Sequence, residues 1–456
     1  MTEPRYHSVI LDEEACKGCT VCVTTCPVEA IRVRNGKARI MGERCIDCGE
    51  CIRRCPHHAK QALTADFIHF MNTAPESGFD YHIALPAPSL YGQFPAEFTV
   101  PAIHNALRTL GFHAVYPVSA VTTAISAATR LFLDRTLYPD LPRPLISSSC
   151  PTIVKFIQIR FPSLLDHIVP VIAPMELAAR LAKLAAREKL GPDAKIGCYF
   201  ISPCAGKITE TVAPISGSPS RVDAVFAMKD VHLALLKALK NAPVSTGTPA
   251  GESDTPGESG AATESVFSEE PVFAPEVAWG RAGGEALSVV PSGEYETLSV
   301  DGMDQCRAIL EAVEDGTLNH VDFVELMACE EGCVGGPLAA VQPSLARHSL
   351  AAHEHQVPAD DTEERGKRES MADSCVLAEK LHARPALLLD KDYRTAMRMM
   401  EEMEAIYQTL PGLDCGCCGA PNCRALAEDI VRGNARREDC VIILKEQYLR
   451  LLEDGS

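Results

Sequence analysis

One pattern of cysteines, written twice in the first sixty residues, constrains this chain more than anything else in it. Cys16-x-x-Cys19-x-x-Cys22-x-x-x-Cys26-Pro27 recurs as Cys45-x-x-Cys48-x-x-Cys51-x-x-x-Cys55-Pro56. Three thiolates spaced three apart wrap one face of a cubane, and the fourth, just before proline, reaches the other cluster. The expected ligand sets are Cys16, Cys19, Cys22 and Cys55 for one 4Fe-4S cluster, and Cys45, Cys48, Cys51 and Cys26 for a second. Zinc would call for paired CxxC units, not two runs of four followed by proline.

This module, residues 1–65, resembles bacterial two-cluster ferredoxins over its whole length, so a small α+β fold is expected. The 20 cysteines of the 456 residues need a reducing setting. Residues 1–15 are charged and polar, without an apolar leader, and no uncharged run approaches the roughly 20 residues of a membrane span. The expectation is therefore a cytoplasmic chain whose cysteines are metal ligands, not disulfides. Lys plus Arg total 43 against 61 Asp plus Glu, a formal charge of −18. That balance argues against nucleic acid or an anionic membrane as partner.

From about residue 75 the texture changes to apolar runs alternating with helical patterns, which predicts an α/β domain over 75–395. Candidate strands are His82–Pro86, His113–Val118, Leu145–Ser148, Lys195–Ile201, Ala224–Met228 and Phe323–Met327. A helix should start at Pro174 and stop at Gly191, with proline and glycine as its punctuation. Two segments break the domain. Pro243–Glu270, rich in Ser, Thr, Gly and Pro, predicts a disordered insertion. Gln342–Ser374, polar and charged, predicts a surface excursion in which His353 and His355 are solvated. A helix over about Lys391–Leu410 carries Met397, Met400 and Met403 on one face, expected to pack in a core.

Isolated cysteines end three of the candidate strands. They are Cys150 after Ser147-Ser148-Ser149, Cys204 before Ala205-Gly206-Lys207, and Cys329 with Cys333 before Val334-Gly335-Gly336-Pro337. Thiolates from three strand ends converge at one sheet edge, where α/β folds place ligands. Four of them suffice for a further cubane. At the other end, Cys415, Cys418, Cys423 and Cys440 resemble the small helical 4Fe-4S domain of corrinoid iron–sulfur proteins, expected over 405–456, with Cys417 spare. Cys198, Cys306 and Cys375 match no cluster pattern.

The three central segments resemble the signature stretches of the catalytic domain of iron-iron (FeFe) hydrogenases, in a two-lobed α/β fold. The resemblance implies that Cys150, Cys204, Cys329 and Cys333 hold a 4Fe-4S cluster. Cys333 would bridge to a diiron unit carrying carbon monoxide and cyanide. It further implies that Lys207 hydrogen-bonds a cyanide, that Met327 packs on the diiron unit, that Ala87, Pro88 and Ser89 line the same pocket, and that Glu210 matches a family glutamate. Three departures stand out. Ser149 occupies the position of the proton-relaying cysteine, and its hydroxyl is a far weaker acid than a thiol. The segment Ala120–Arg130 lacks the family's paired glutamates. Ser202 replaces a methionine. This pattern is similar to the divergent, sensory-type branch. The implied function is slow H2 oxidation or proton reduction, an oxidoreductase linked to a ferredoxin or other redox partner. The alternatives are an H2 or redox sensor signalling to a partner protein, and a non-catalytic iron–sulfur scaffold.

Overall fold

The computed structural model describes residues 7–215, 217–241, 271–359 and 361–454. The insertion expected over Pro243–Glu270 lies outside them. The N-terminal module pairs β1 (Val9–Leu11) with β4 (Lys60–Ala62), and β2 (Ile31–Arg34) with β3 (Lys37–Ile40), both antiparallel. Asn35 and Gly36 link the hairpin with positive φ of 53° and 71°, the geometry of a tight two-residue turn.

The central region has two parallel sheets, one per lobe. The first orders β6-β5-β8-β9, from β5 (Tyr81–Pro86), β6 (Ala114–Val115), β8 (Ile196–Ser202) and β9 (Ala224–Ala227). The second orders β10-β11-β7, from β7 (Leu145–Ile146), β10 (Thr297–Asp301) and β11 (Phe323–Met327). β5 and β8 are buried at every position, as expected of strands covered on both faces. Their apolar runs read correctly from sequence. β6 and β7 shrink to two residues because only two pair with a neighbour. β10 escaped notice because it is a half-exposed edge strand with mixed residues. The helix Pro174–Leu190 stops at Gly191, whose φ is 102°.

Two expectations need correction. Gln342–Ser374 is not a surface excursion. Its helix Pro343–Glu354 buries Ala346, Leu350 and His353 on one face. The His353 ring is fully buried and bonds the Ser349 and Phe98 carbonyls at 2.8 and 2.9 Å. The methionine face also splits. Met403 is buried, whereas Met397 and Met400 are exposed. Met403 joins Leu410, Cys423, Leu426 and Cys440 in a separate small core. The helix Tyr393–Tyr407 therefore belongs with the C-terminal unit.

The ferredoxin-like module does not hang free. Val23, Ile31 and Ile46 share one core with Ile153, Phe156 and Leu326 of the second lobe. At that seam the fully buried Asp47 accepts from Lys155 Nζ (2.7 Å), Thr209 Oγ1 (2.7 Å) and the Ser8 N–H (2.8 Å). Removing one partner of such a buried pair strands the other charge. Asp47→Asn is therefore expected to destabilise the protein by about 3–5 kcal/mol, read as a lowered urea midpoint. Adding Lys155→Met should recover much of the loss. The C-terminal unit docks on the same module. Asp429 receives Arg32 (2.7 Å) and Arg34, Glu428 pairs with Arg44, and the Val33 N–H donates to the Gly419 carbonyl at 2.8 Å.

Candidate active site

The chain leaves β5, β7, β8 and β11 at their C-terminal ends, and each exit carries part of one site. Cys150 caps the helix Pro151–Arg160, and Cys204 caps Ala205–Val212. Cys329 and Cys333 lie in the turn after β11. All four thiols, with Ala87, Pro88, Ser89, Ser149, Lys207 and Met327, line a single cavity of about 100 Å³. Glycine allows the loops to close on it. A Cβ at Gly332, where φ is +86°, would lie 2.4 Å from the Ala282 nitrogen, and one at Gly336 would lie 2.4 Å from the Pro203 carbonyl.

Burial pushes the Cys204 thiol up to about 11, and those of Cys329 and Cys333 well above the ordinary range, with each other's charge adding to the effect. Thiols raised in this way cannot ionise together in an apolar cavity unless a cationic group compensates them. None of the twenty cysteines forms a disulfide. A set of four thiolates fits an iron–sulfur group, which takes soft sulfur donors.

Lys207 supplies a cation to the same wall. Burial opposes its charge, but Glu210 at 2.9 Å and the neighbouring Cys204 and Cys150 hold its pKa above the ordinary value. Glu210 stands behind it and borders a second pocket with Glu176 and Arg180.

Two carboxylates that sequence reasoning missed complete the site. Ser149 Oγ donates to Glu285 Oε1 at 3.0 Å, and Ser147 Oγ lies 2.8 and 2.7 Å from the two Glu285 oxygens. Glu285 is 2% exposed and lines the cavity. Glu325, in the middle of β11, accepts from the Gly283 and Ala286 N–H groups at 3.2 and 2.9 Å and from Ser299 Oγ at 3.2 Å. Burial first, then the Glu325 charge, pushes the Glu285 carboxyl up to about 8. The division of labour follows from the partners. Backbone N–H groups can only donate, so Glu325 is the charged member. Hydroxyls donate or accept, so Glu285 is the member that can hold a proton. Ser299 is exposed. Ser149 on the cavity wall is thus bonded to Glu285, and Glu325, whose charge acts on Glu285, is bonded to the exposed Ser299. One signal for this arrangement was legible, a lone glutamate inside the apolar run Phe323–Met327.

The terminal cysteines also gather. Cys16, Cys19, Cys22 and Cys55 line one small cavity. Cys26 lies close enough to Cys45, Cys48 and Cys51 for their charges to act on one another. Cys48 and Asp47 also reach the four-cysteine cavity. Arg53, two residues after Cys51, donates to the Gly335 carbonyl at 2.6 Å and hydrogen-bonds Cys329. In the C-terminal unit Cys418 neighbours Cys415 and Cys440, Cys423 and Cys440 are buried in the small core, and Cys415 and Cys417 are exposed.

Comparison with known proteins agrees with this layout. Residues 80–337, more than half of the chain, match the family described as iron only hydrogenase large subunit, C-terminal domain. Residues 8–56 match a 4Fe-4S dicluster domain, and 410–442 match an Fe-S cluster family. The NADP-reducing hydrogenase subunit HndD of Solidesulfovibrio fructosivorans is 27% identical over 390 residues, 72% of this chain and 64% of that protein. This chain thus spans just under two thirds of that relative's length. The periplasmic Fe hydrogenase large subunit of Nitratidesulfovibrio vulgaris is 26% identical over 377 residues, 75% of this chain and 88% of that one. A variant of the FeFe-hydrogenase HydA1 from Chlamydomonas reinhardtii shares the fold at TM-score 0.50 and 16% identity, covering 70% of this chain and all of that one. Among the described residues no helix is long and apolar enough to cross a membrane.

Proposed function

The chain belongs to the iron-only (FeFe) hydrogenase family, and from that premise we propose that it interconverts dihydrogen with protons and electrons at the four-cysteine cavity. Cys150, Cys204, Cys329 and Cys333 would hold a cubane, with Cys333 shared with a diiron unit bearing carbon monoxide and cyanide. When bound, that unit supplies the metal centre at which dihydrogen is cleaved or formed. Lys207 offers its ammonium to an anionic ligand, oriented by Glu210. Met327, Ala87, Pro88 and Ser89 exclude water from the same pocket. The two N-terminal clusters and the C-terminal cluster would connect the site to a redox partner protein.

The observation that carries this reading is the hydrogen bond from Ser149 to Glu285 at the cavity wall. Ser149 is too weak an acid to exchange protons alone near neutral pH. Hydrogen-bonded to Glu285, it needs only to pass a proton through its hydroxyl, while the carboxyl holds it. Glu285 then takes the part that the missing glutamates of Ala120–Arg130 would play, from a different element. Ser149 also favours a second reading, a slow H2 or redox sensor built on the same cavity, in which exchange is rare and the clusters report oxidation state to a partner.

The pH profile tests the catalytic reading. Glu285 can accept a proton only when ionised, so H2 oxidation, followed with a viologen acceptor, should rise with pH through about 8. Proton reduction needs the protonated form and should fall over the same interval. Rates flat between about pH 6 and about pH 10 would remove Glu285 from the relay.

A further inference from the structure

Two residues that line the four-cysteine cavity carry buried polar atoms that meet no partner among the described residues. They are the indole Nε1–H of Trp279 and the hydroxyl of Ser89. Trp279 is 6% exposed and Ser89 fully buried. They adjoin because Gly280 lets two segments touch, and a Cβ there would sit 2.8 Å from the Ser89 nitrogen. A buried donor without an acceptor is costly and uncommon in native proteins. Ser89 can turn its hydroxyl or act as an acceptor. An indole N–H can only donate, so the missing partner of Trp279 is an acceptor. The cavity lining also carries acceptors such as Ser149, Ser202 and Glu285, but none of them bonds the indole. The Ser89 hydroxyl and the indole each lack a partner and so do not bond each other, which leaves the acceptor to whatever the cavity binds.

We propose that Trp279 donates its indole N–H to a cyanide of the diiron unit and fixes the orientation of that unit in the cavity. The inference rests on the diiron reading above. Cyanide is the choice over carbon monoxide because its nitrogen carries negative charge, and donors bind charged acceptors more strongly. Lys207 and Trp279 would then be two separate anchors, one charged and one neutral. Trp279 acts on the ligand sphere alone, as a positioning residue.

Trp279 is the chain's only tryptophan, so its signal has no background. Ultraviolet resonance Raman spectra of the unaltered protein, before and after insertion of a synthetic diiron complex, should show the indole N–H marker band move to its hydrogen-bonded position. In Trp279→Phe, which keeps an aromatic body in place, infrared spectra should show one cyanide band displaced and the carbonyl bands moved to lower wavenumber. The donor's pull on metal electron density is lost in that variant. Diiron bands present in the parent and identical in Trp279→Phe, with an unmoved Raman band on loading, would overturn this inference alone. Absence of diiron bands in the parent would overturn the diiron reading and the inference with it.

Discussion

Glu285→Gln is expected to lower both directions of hydrogen turnover by about 10²–10⁴-fold, the usual worth of a positioned acid–base group. Glutamine keeps the length and the hydrogen bonds to Ser147 and Ser149 but cannot exchange a proton. The substitution should not unfold the protein. Glu285 and Glu325 are two buried carboxylates at 2% and 1% exposure that work against each other's ionisation. A neutral amide relieves that conflict, so stability should hold or rise. Loss of rate with unchanged iron content and melting behaviour would therefore report the relay itself. The pH dependence expected of the parent should vanish in the variant, and Glu285→Asp should restore part of the rate. Turnover unaffected by Glu285→Gln would mean that protons reach the cavity by another route.

Lys207→Met is expected to act on binding instead of proton transfer. The Lys207 and Glu210 side chains are 12% and 10% exposed at 2.9 Å separation. Deleting the cation leaves Glu210 buried and unpaired, which costs about 3–5 kcal/mol. It also removes the only side-chain cation that lines the four-cysteine cavity among the described residues. Loss of such a supporting partner typically costs about 10–100-fold in affinity for a metal group. The two effects separate in the double variant Lys207→Met with Glu210→Gln. There stability should return to near the parent's, while retention of the diiron unit stays low. Recovery of both together would make Lys207 a structural residue and nothing more.

How much of this was legible in the sequence depends on distance along the chain. The N-terminal cysteines gather as expected because one local turn brings three of each four together. β5, β8 and β11 read plainly because buried parallel strands are continuous apolar runs. The gathering of Cys150, Cys204, Cys329 and Cys333 was foreseeable from their positions at strand ends. Glu285 was not, because it reaches Ser149 across 136 residues from a helix in another part of the domain. Trp279 sits in the same stretch, where nothing in the sequence marks its N–H as unpartnered. The helix Pro343–Glu354 was misread for the opposite reason. Its composition is polar, and only Ala346, Leu350 and His353, at spacings of four and three, turn inward. A short buried stripe on a polar helix weighs little in composition and much in packing. Met397 and Met400 reversed the error, since a shared helical face does not by itself say that the whole face finds a partner.

The central claim is that the four-cysteine cavity holds a diiron unit beside a cubane. Infrared spectroscopy of protein made anaerobically with hydrogenase maturation enzymes tests it most directly. The account predicts carbonyl and cyanide stretching bands that change when dihydrogen is admitted. No such bands, in protein carrying only the roughly sixteen irons that four cubanes need, would contradict it and leave a multi-cluster electron-transfer protein.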